Sequence, residues 1–457
     1  MEGVISSVAG INKIVNDFVW GPGMLLFLVL TGVYFTIGTG FFQIRRFKLW
    51  FGETFIAIFR NKAVTQNKDP NAISQFQALS TALAGTIGTG NIVGVATALT
   101  AGGPGAIFWM WISSFFGMMT NYAENVLGIR YRYKNEKGAW IGGPMVYLER
   151  GLGCKGLAVL FACLCVLASL GMGNMTQANS IAGALKGSLN LSPLVTGVIV
   201  AILVSLVILG GIKRIGKVAE RFVPFMAVFY ILGGIALIIL HRENVPDAFR
   251  LIFSEAFDFR CVGGGIGGYI MSNAVRYGIA RGVFTNEAGL GTSCIVHSAS
   301  NVTDPAKQGM WGMFEVFFDT IIMCTITAVA MLSSGVVGCG ADGVELAMAA
   351  FETGFGEVGK SFITIAILFF AFATMLGWSY YGERAVEYLF GAKHLIVYRV
   401  VFILAIILGC VAKLELVWDI SDTFNGLMAT PNLVGLIFLS GDVFHATKNY
   451  LKKLKNS

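Results

Sequence analysis

The sequence predicts an all-α polytopic membrane protein of about eleven spans, ten of them forming a five-plus-five inverted repeat behind one extra N-terminal helix. Three observations predict it. The 457 residues are 55% apolar and only 13% charged, and the mean hydropathy is +0.72, far above that of water-soluble chains of this length. Apolar runs long enough to cross a bilayer recur along the whole chain. Two of those runs are interrupted by glycine-rich polar segments, at corresponding places in the two halves.

The runs lie at about Trp20 to Gly40, Phe76 to Ala101, Gly105 to Gly128, Leu157 to Leu185, Pro193 to Gly211, Val223 to Leu240, Ile266 to Ala299, Trp311 to Val337, Phe362 to Tyr381, Ile396 to Val411 and Phe424 to Val443. Turn chemistry at Gly102-Gly103-Pro104-Gly105 and at Ser192-Pro193 separates runs that would otherwise merge. The expected organisation is one membrane domain over residues 1–457, with the extra helix at 20–40, a first repeat at 72–241 and a second at 262–446. The first thirteen residues lack the basic start and apolar core of a signal peptide, so no cleavage is expected.

The net charge of +7 reflects topology rather than affinity for nucleic acid, because the basic residues alternate between joints. Arg45 to Lys68, Arg130 to Lys155, Lys213 to Arg221, Lys307, Arg384, Lys393, Arg399 and the tail from Lys448 to Lys455 fall on one side. Only Lys13, Lys186, Arg242, Arg250, Arg260, Lys360 and Lys413 fall on the other. This predicts an N-terminus outside and a C-terminus in the cytoplasm. Phe41 to Phe59 and Val245 to Phe257 are expected to lie along the membrane surface. The eight cysteines, Cys261 among them, form no metal or redox motif and are read as packing residues.

The two interruptions are Ala84-Gly-Thr-Ile-Gly-Thr-Gly-Asn91 and Val283-Phe-Thr-Asn-Glu-Ala-Gly-Leu-Gly-Thr292. Irregular backbone at membrane depth is tolerable only where it is buried in protein or lines a cavity. A break also exposes carbonyls that can ligate a cation and amides that can hold a carboxylate. A zwitterionic amino acid accompanied by sodium matches that polarity. The alternative for Gly88 and Gly90 is close helix packing. With the first span set aside, the interruptions fall in core helices one and six, the places an inverted repeat gives its discontinuous helices.

The run from Ala84 to Gly105, together with Thr285-Asn-Glu-Ala-Gly-Leu-Gly291, resembles the alanine or glycine:cation symporter family, and the resemblance extends over essentially the whole chain. It implies the LeuT-type fold and a sodium-coupled symporter that imports alanine or glycine by alternating access across the cell membrane. It implies further that the amides of Thr89 and Gly90 receive the substrate carboxylate, with Asn91 close by. By analogy with the broader fold, the carbonyls of Ala84 and Ile87 and the hydroxyl of Thr374 ligate sodium. Beyond the co-transported sodium ion, surrounding lipid and the amino acid, no organic cofactor, nucleic acid or obligatory protein partner is expected.

Other candidates carry two readings each. Gln177, polar within a span, is a substrate contact or an interhelical hydrogen bond. Trp378 is an interface anchor or a cap that limits substrate size. The resemblance favours the pocket for both. Phe284 and Asn286 are similar, the ring facing substrate and the amide fixing unwound backbone. Glu124, Arg276, Arg281, Glu287, Glu315 and Asp319 are costly in hydrocarbon and are expected to pair or to face water. Glu287 is a proton acceptor, or else it pairs with Arg276 or Arg281 or caps the second half-helix. The histidines His241, His297, His394 and His445 are too dispersed for a relay.

No nucleophile and base constellation marks an enzyme, and no phosphate-binding loop marks a primary pump. A proton-coupled carrier of small amino acids and an ion channel are the alternatives to the sodium-coupled reading. Paired breaks around one central site argue against the channel.

Overall fold

The computed structural model of the chain describes residues 2–67, 69, 71–257, 273–412 and 415–456. The expectations for Lys68, Arg260, Cys261, Lys413 and the start of the sixth core span, 266–272, lie outside those residues. Among the described residues, each of the eleven apolar runs contains helix. Six helical stretches are long and apolar enough to cross a membrane by length and composition, and a bent pair at the C-terminal end makes a seventh. Shorter or interrupted helices occupy the remaining runs.

An N-terminal helix not foreseen in the sequence, Glu2–Val19, precedes the extra span at Pro22–Gly38. Short helices between Phe42 and Thr65 follow. Core helix one starts at a capping box in which Ser74 and Gln77 satisfy each other's backbone amides, and it runs over Gln75–Thr86. After its break it resumes at Val93–Gly102. Core helix two is Gly105–Tyr131, beginning after a turn in which Gly103 takes a positive φ. Core helix three joins Lys155–Leu170 to Thr176–Leu189 through a π turn at Gly171–Met175.

Core helices four and five are Pro193–Ile208 and Gly211–Leu240, and the outer helix Val245–Glu255 follows them. Core helix six is described at Asn273–Asn286 and again at Ser293–His297. Core helix seven passes from Pro305–Val316 through a long π segment, Phe317–Cys324, into Thr325–Ser333. Gly343–Phe355 crosses back over the bundle before core helix eight, Glu357–Phe390. Core helices nine and ten are Leu395–Val411 and Glu415–Phe438, and the chain bends by 59° into a terminal helix, Ser440–Asn456.

Two packed groups result. Core helices one, two, six and seven lie against one another, while three, four, eight and nine form a second group that meets the first chiefly where core helix eight touches core helix one. Burial follows the same division. Two-thirds of the apolar window of core helices seven and eight is buried inside the protein, against one-third for five and nine. The outer faces of four, five and nine carry exposed Leu203, Phe225 and Leu404, as lipid requires and water would not tolerate over so wide a patch.

Candidate functional site

Core helix one ends where glycines allow its backbone to turn. In an unbroken helix the amides of Gly88 and Asn91 would bond to the carbonyls of Ala84 and Ile87. Instead Gly88 N–H donates to the Asn91 side-chain oxygen at 3.0 Å, and Asn91 N–H donates to the Gly88 carbonyl at 3.2 Å. The Ala84 and Ile87 carbonyls are thereby released from helical pairing. The hydroxyl of Thr374, on core helix eight, lies against Gly88, so closely that a Cβ there would stand 2.5 Å from it. That hydroxyl also donates to the Phe370 carbonyl at 3.0 Å.

One turn further on, Thr89–Asn91 forms a single 3-10 turn. No described residue accepts a hydrogen bond from the amides of Thr89 and Gly90, which are the leading N–H groups of that turn. They open on a cavity of about 380 Å³ walled also by Gly94, Thr97, Phe284, Arg281 and Asp342. Gly90 is required at this wall, since a Cβ would meet the Thr285 methyl at 2.9 Å and the Phe284 ring at 3.4 Å. Gln177 stands one bond away, accepting from the Thr89 hydroxyl at 3.1 Å and donating to the Met172 carbonyl.

The break in core helix six is tighter. Glu287 adopts a left-handed conformation, φ 55°, and Gly289 and Gly291 follow with positive φ. Asn286 caps the turn by accepting from Ala288 N–H at 3.0 Å. Glu124, on core helix two, accepts from the amides of Gly289 and Gly291 and from Asn432. Glu287 accepts from the Thr292 hydroxyl and, at 2.9 Å, from the Trp378 indole.

These contacts correct one expectation. Glu287 does not pair with either arginine: Arg276 reaches Asp17 at 3.5 Å on the N-terminal helix, and Arg281 lies over the Phe284 ring, 5.6 Å from its centroid. Both arginines precede the left-handed turn on Asn273–Asn286 and are engaged elsewhere. Trp378 is fully buried against Gly173 and Tyr381, behind the cavity and not in its wall. Thr89, Gly90 and Phe284 line the cavity, while Asn91 and Asn286 shape the backbone around it. His297, read in the sequence as isolated, is buried in contact with Glu315 at 3.1 Å and with Gln308. No spacing signal marks that trio, because its members come from two helices.

The two ends of the site differ. Toward the core-one N-terminus the bundle is sealed: Ile73 and Ser300 form a parallel bridge, and Arg132 donates to the carbonyls of Ser298, Ser300 and Val302 while stacking on Trp140. Away from that end, Arg281 lines two smaller recesses as well, beside Asp419 and Asp422.

Comparison with known proteins agrees with this architecture. Residues 5–457 match the sodium:alanine symporter family. The chain is 46% identical over 450 residues to a sodium/alanine symporter of Methanococcus maripaludis, covering 97% of each. It is 36% identical to a probable sodium/glutamine symporter of Bacillus subtilis, covering all of this chain and 92% of that one. Among solved structures, MhsT in complex with L-phenylalanine superposes with a TM-score of 0.60 at 13% identity, over 83% of this chain and 99% of that one. The fold is the LeuT-type inverted repeat carrying an additional N-terminal helix.

Proposed function

The chain belongs to the sodium:alanine symporter family, and on that premise we propose that it imports a small neutral amino acid, alanine or glycine, together with sodium. One observation carries this reading. Within the same eight residues of core helix one, released carbonyls at Ala84 and Ile87 precede released amides at Thr89 and Gly90. A cation and a carboxylate thus find opposite partial charges on neighbouring backbone groups of one broken helix.

In this reading Thr89 and Gly90 hold the substrate carboxylate, Phe284 closes over the side chain, and Gln177 fixes Thr89. Asn91 and Asn286 keep both breaks open. Ala84, Ile87 and Thr374 ligate sodium, and its presence preorganises the turn that follows. Trp378, behind the cavity, braces the core-six break through Glu287. The basic joints set the orientation, with the N-terminus outside, the C-terminus in the cytoplasm and the cavity facing outward. Transport proceeds by closing the outer recess and releasing the inner seal.

Radiolabelled alanine uptake into sealed proteoliposomes tests the proposal. An inward sodium gradient is expected to drive accumulation, and excess unlabelled glycine to compete with it. Uptake indifferent to the sodium gradient removes the symport claim. Uptake driven instead by a proton gradient selects the proton-coupled reading, and competition by glutamine but not glycine reassigns the substrate.

A further inference from the structure

The two breaks are joined by a continuous line of hydrogen bonds through core helix seven. Its direction is fixed by chemistry. A backbone amide can only donate, so Gly88 N–H orients the Asn91 side chain with its oxygen inward and its NH2 outward. That NH2 donates to the Asp319 carboxyl at 2.7 Å. The other Asp319 oxygen accepts from the Thr320 hydroxyl at 2.9 Å. Thr320 in turn accepts from the Asn286 NH2 at 3.0 Å, and Asn286 is oriented by Ala288 N–H as Asn91 is by Gly88. Every side chain in the line is buried.

Consecutive residues do not share a face of an α-helix. Here Asp319 and Thr320 both belong to the π segment Phe317–Cys324, whose wider winding lets the pair reach one break each. The helix pays for that irregularity with weaker regular pairing, and π turns of this kind cluster at functional sites.

We propose that Asp319 and Thr320 are positioning residues that couple the two breaks, so that sodium bound at the first also sets the hold that the second, through Phe284, has on the amino acid. The inference rests on the sodium-coupled reading above. Cation binding beside Gly88 settles the turn that holds Asn91. Asn91 then fixes Asp319, Asp319 fixes Thr320, and Thr320 holds the Asn286 cap on which Phe284 and the core-six break depend.

The test measures binding of radiolabelled alanine to the purified full-length protein, with sodium and with potassium in its place. Wild type is expected to bind alanine about 5- to 150-fold more tightly in sodium, the usual span of such couplings. Thr320→Val removes the hydroxyl at constant shape, and Asp319→Ala removes both acceptors. Each is expected to reduce that tightening severalfold, leaving the part carried within the first break itself, whereas Thr320→Ser retains it in full. The double variant is expected to be no worse in coupling than either single one, as members of one line require. Full tightening in Thr320→Val, or additive losses in the double variant, overturns the proposal. Wild-type binding that ignores sodium overturns the sodium-coupled reading itself. Hydrogen exchange on the wild type supplies an arm independent of variant folding. Sodium alone is expected to slow exchange across 285–291 as well as 84–91, and protection confined to 84–91 overturns the coupling.

Discussion

The indole of Trp378 donates to the Glu287 carboxyl at 2.9 Å and thereby fastens core helix eight to the left-handed turn that interrupts core helix six. The second carboxyl oxygen accepts from Thr292, at the entrance to the half-helix beyond. Both partners are neutral donors, so the geometry asks Glu287 for acceptors and nothing more.

Glu287→Gln keeps an acceptor for the indole and presents its NH2 to a hydroxyl that can accept. Sodium-driven alanine uptake is expected to stay within about tenfold of wild type, a change of about 1.4 kcal/mol in the barrier, with its pH profile in place. Glu287→Ala strands two buried donors at about 1–3 kcal/mol each and is expected to abolish most uptake. Initial rates measured across a pH series decide the matter. A profile displaced by Glu287→Gln assigns Glu287 a proton.

Gly90→Ala separates binding from folding. Its Cβ enters the space between Thr285 and Phe284, above the amides assigned to the carboxylate. Overpacking of this kind costs about 1–3 kcal/mol, which a large membrane bundle can absorb. The stabilisation of about 2.7 kcal/mol that a ligand confers at a hundred times its Kd is expected to vanish. Thermal melting in sodium, with and without alanine, reads both quantities. A preserved alanine-dependent shift removes Gly90 from the binding site.

Both breaks were legible because their glycines and polar residues interrupt otherwise apolar runs, whereas the choice of the Ala84 and Ile87 carbonyls came through the resemblance. Partners across the bundle were not legible. Asp319 stands out in the sequence as a costly buried charge, yet its donor Asn91 lies 228 positions away. Arg276 meets Asp17 on a helix too polar to register as a span. The π winding that turns Asp319 and Thr320 toward different breaks has no signature in hydrophobic period. Thr374 was placed through resemblance, since nothing local to core helix eight distinguishes it from Thr364. A string displays which groups need partners and hides which partners the packing brings.

Gly377 is the point at which core helix eight touches core helix one. A Cβ there would stand 2.7 Å from the Gly85 amide nitrogen and 2.8 Å from its Cα, both rigid backbone. Gly377→Ala is therefore expected to push the helices apart beside Thr374, lowering stability by about 1–3 kcal/mol. It is also expected to weaken sodium more than it weakens alanine measured at saturating sodium. Sodium titrations of alanine binding check this, and an unchanged sodium midpoint separates Gly377 from the cation site.

Arg132 ties together the end of the bundle beside the core-one N-terminus with groups no lysine can replace. Its guanidinium donates to Ser298 at 2.8 Å, to Ser300 at 2.6 Å and to Val302, and its plane stacks 4.1 Å from the Trp140 ring. A planar fork serves several carbonyls and an aromatic face together, whereas an ammonium is a single point charge. Charged hydrogen bonds contribute about 1.5–3 kcal/mol each. Arg132→Lys is therefore expected to free the Ile73–Ser300 bridge and shift the protein toward a state open at this end. Apparent alanine affinity from the opposite side falls in proportion to the lost population of the binding-competent state. Hydrogen exchange at the Ile73 and Asn301 amides, which bond across the bridge, reports the opening directly. If those amides stay protected while affinity falls, Arg132 acts on the site by another route and the inner seal lies elsewhere.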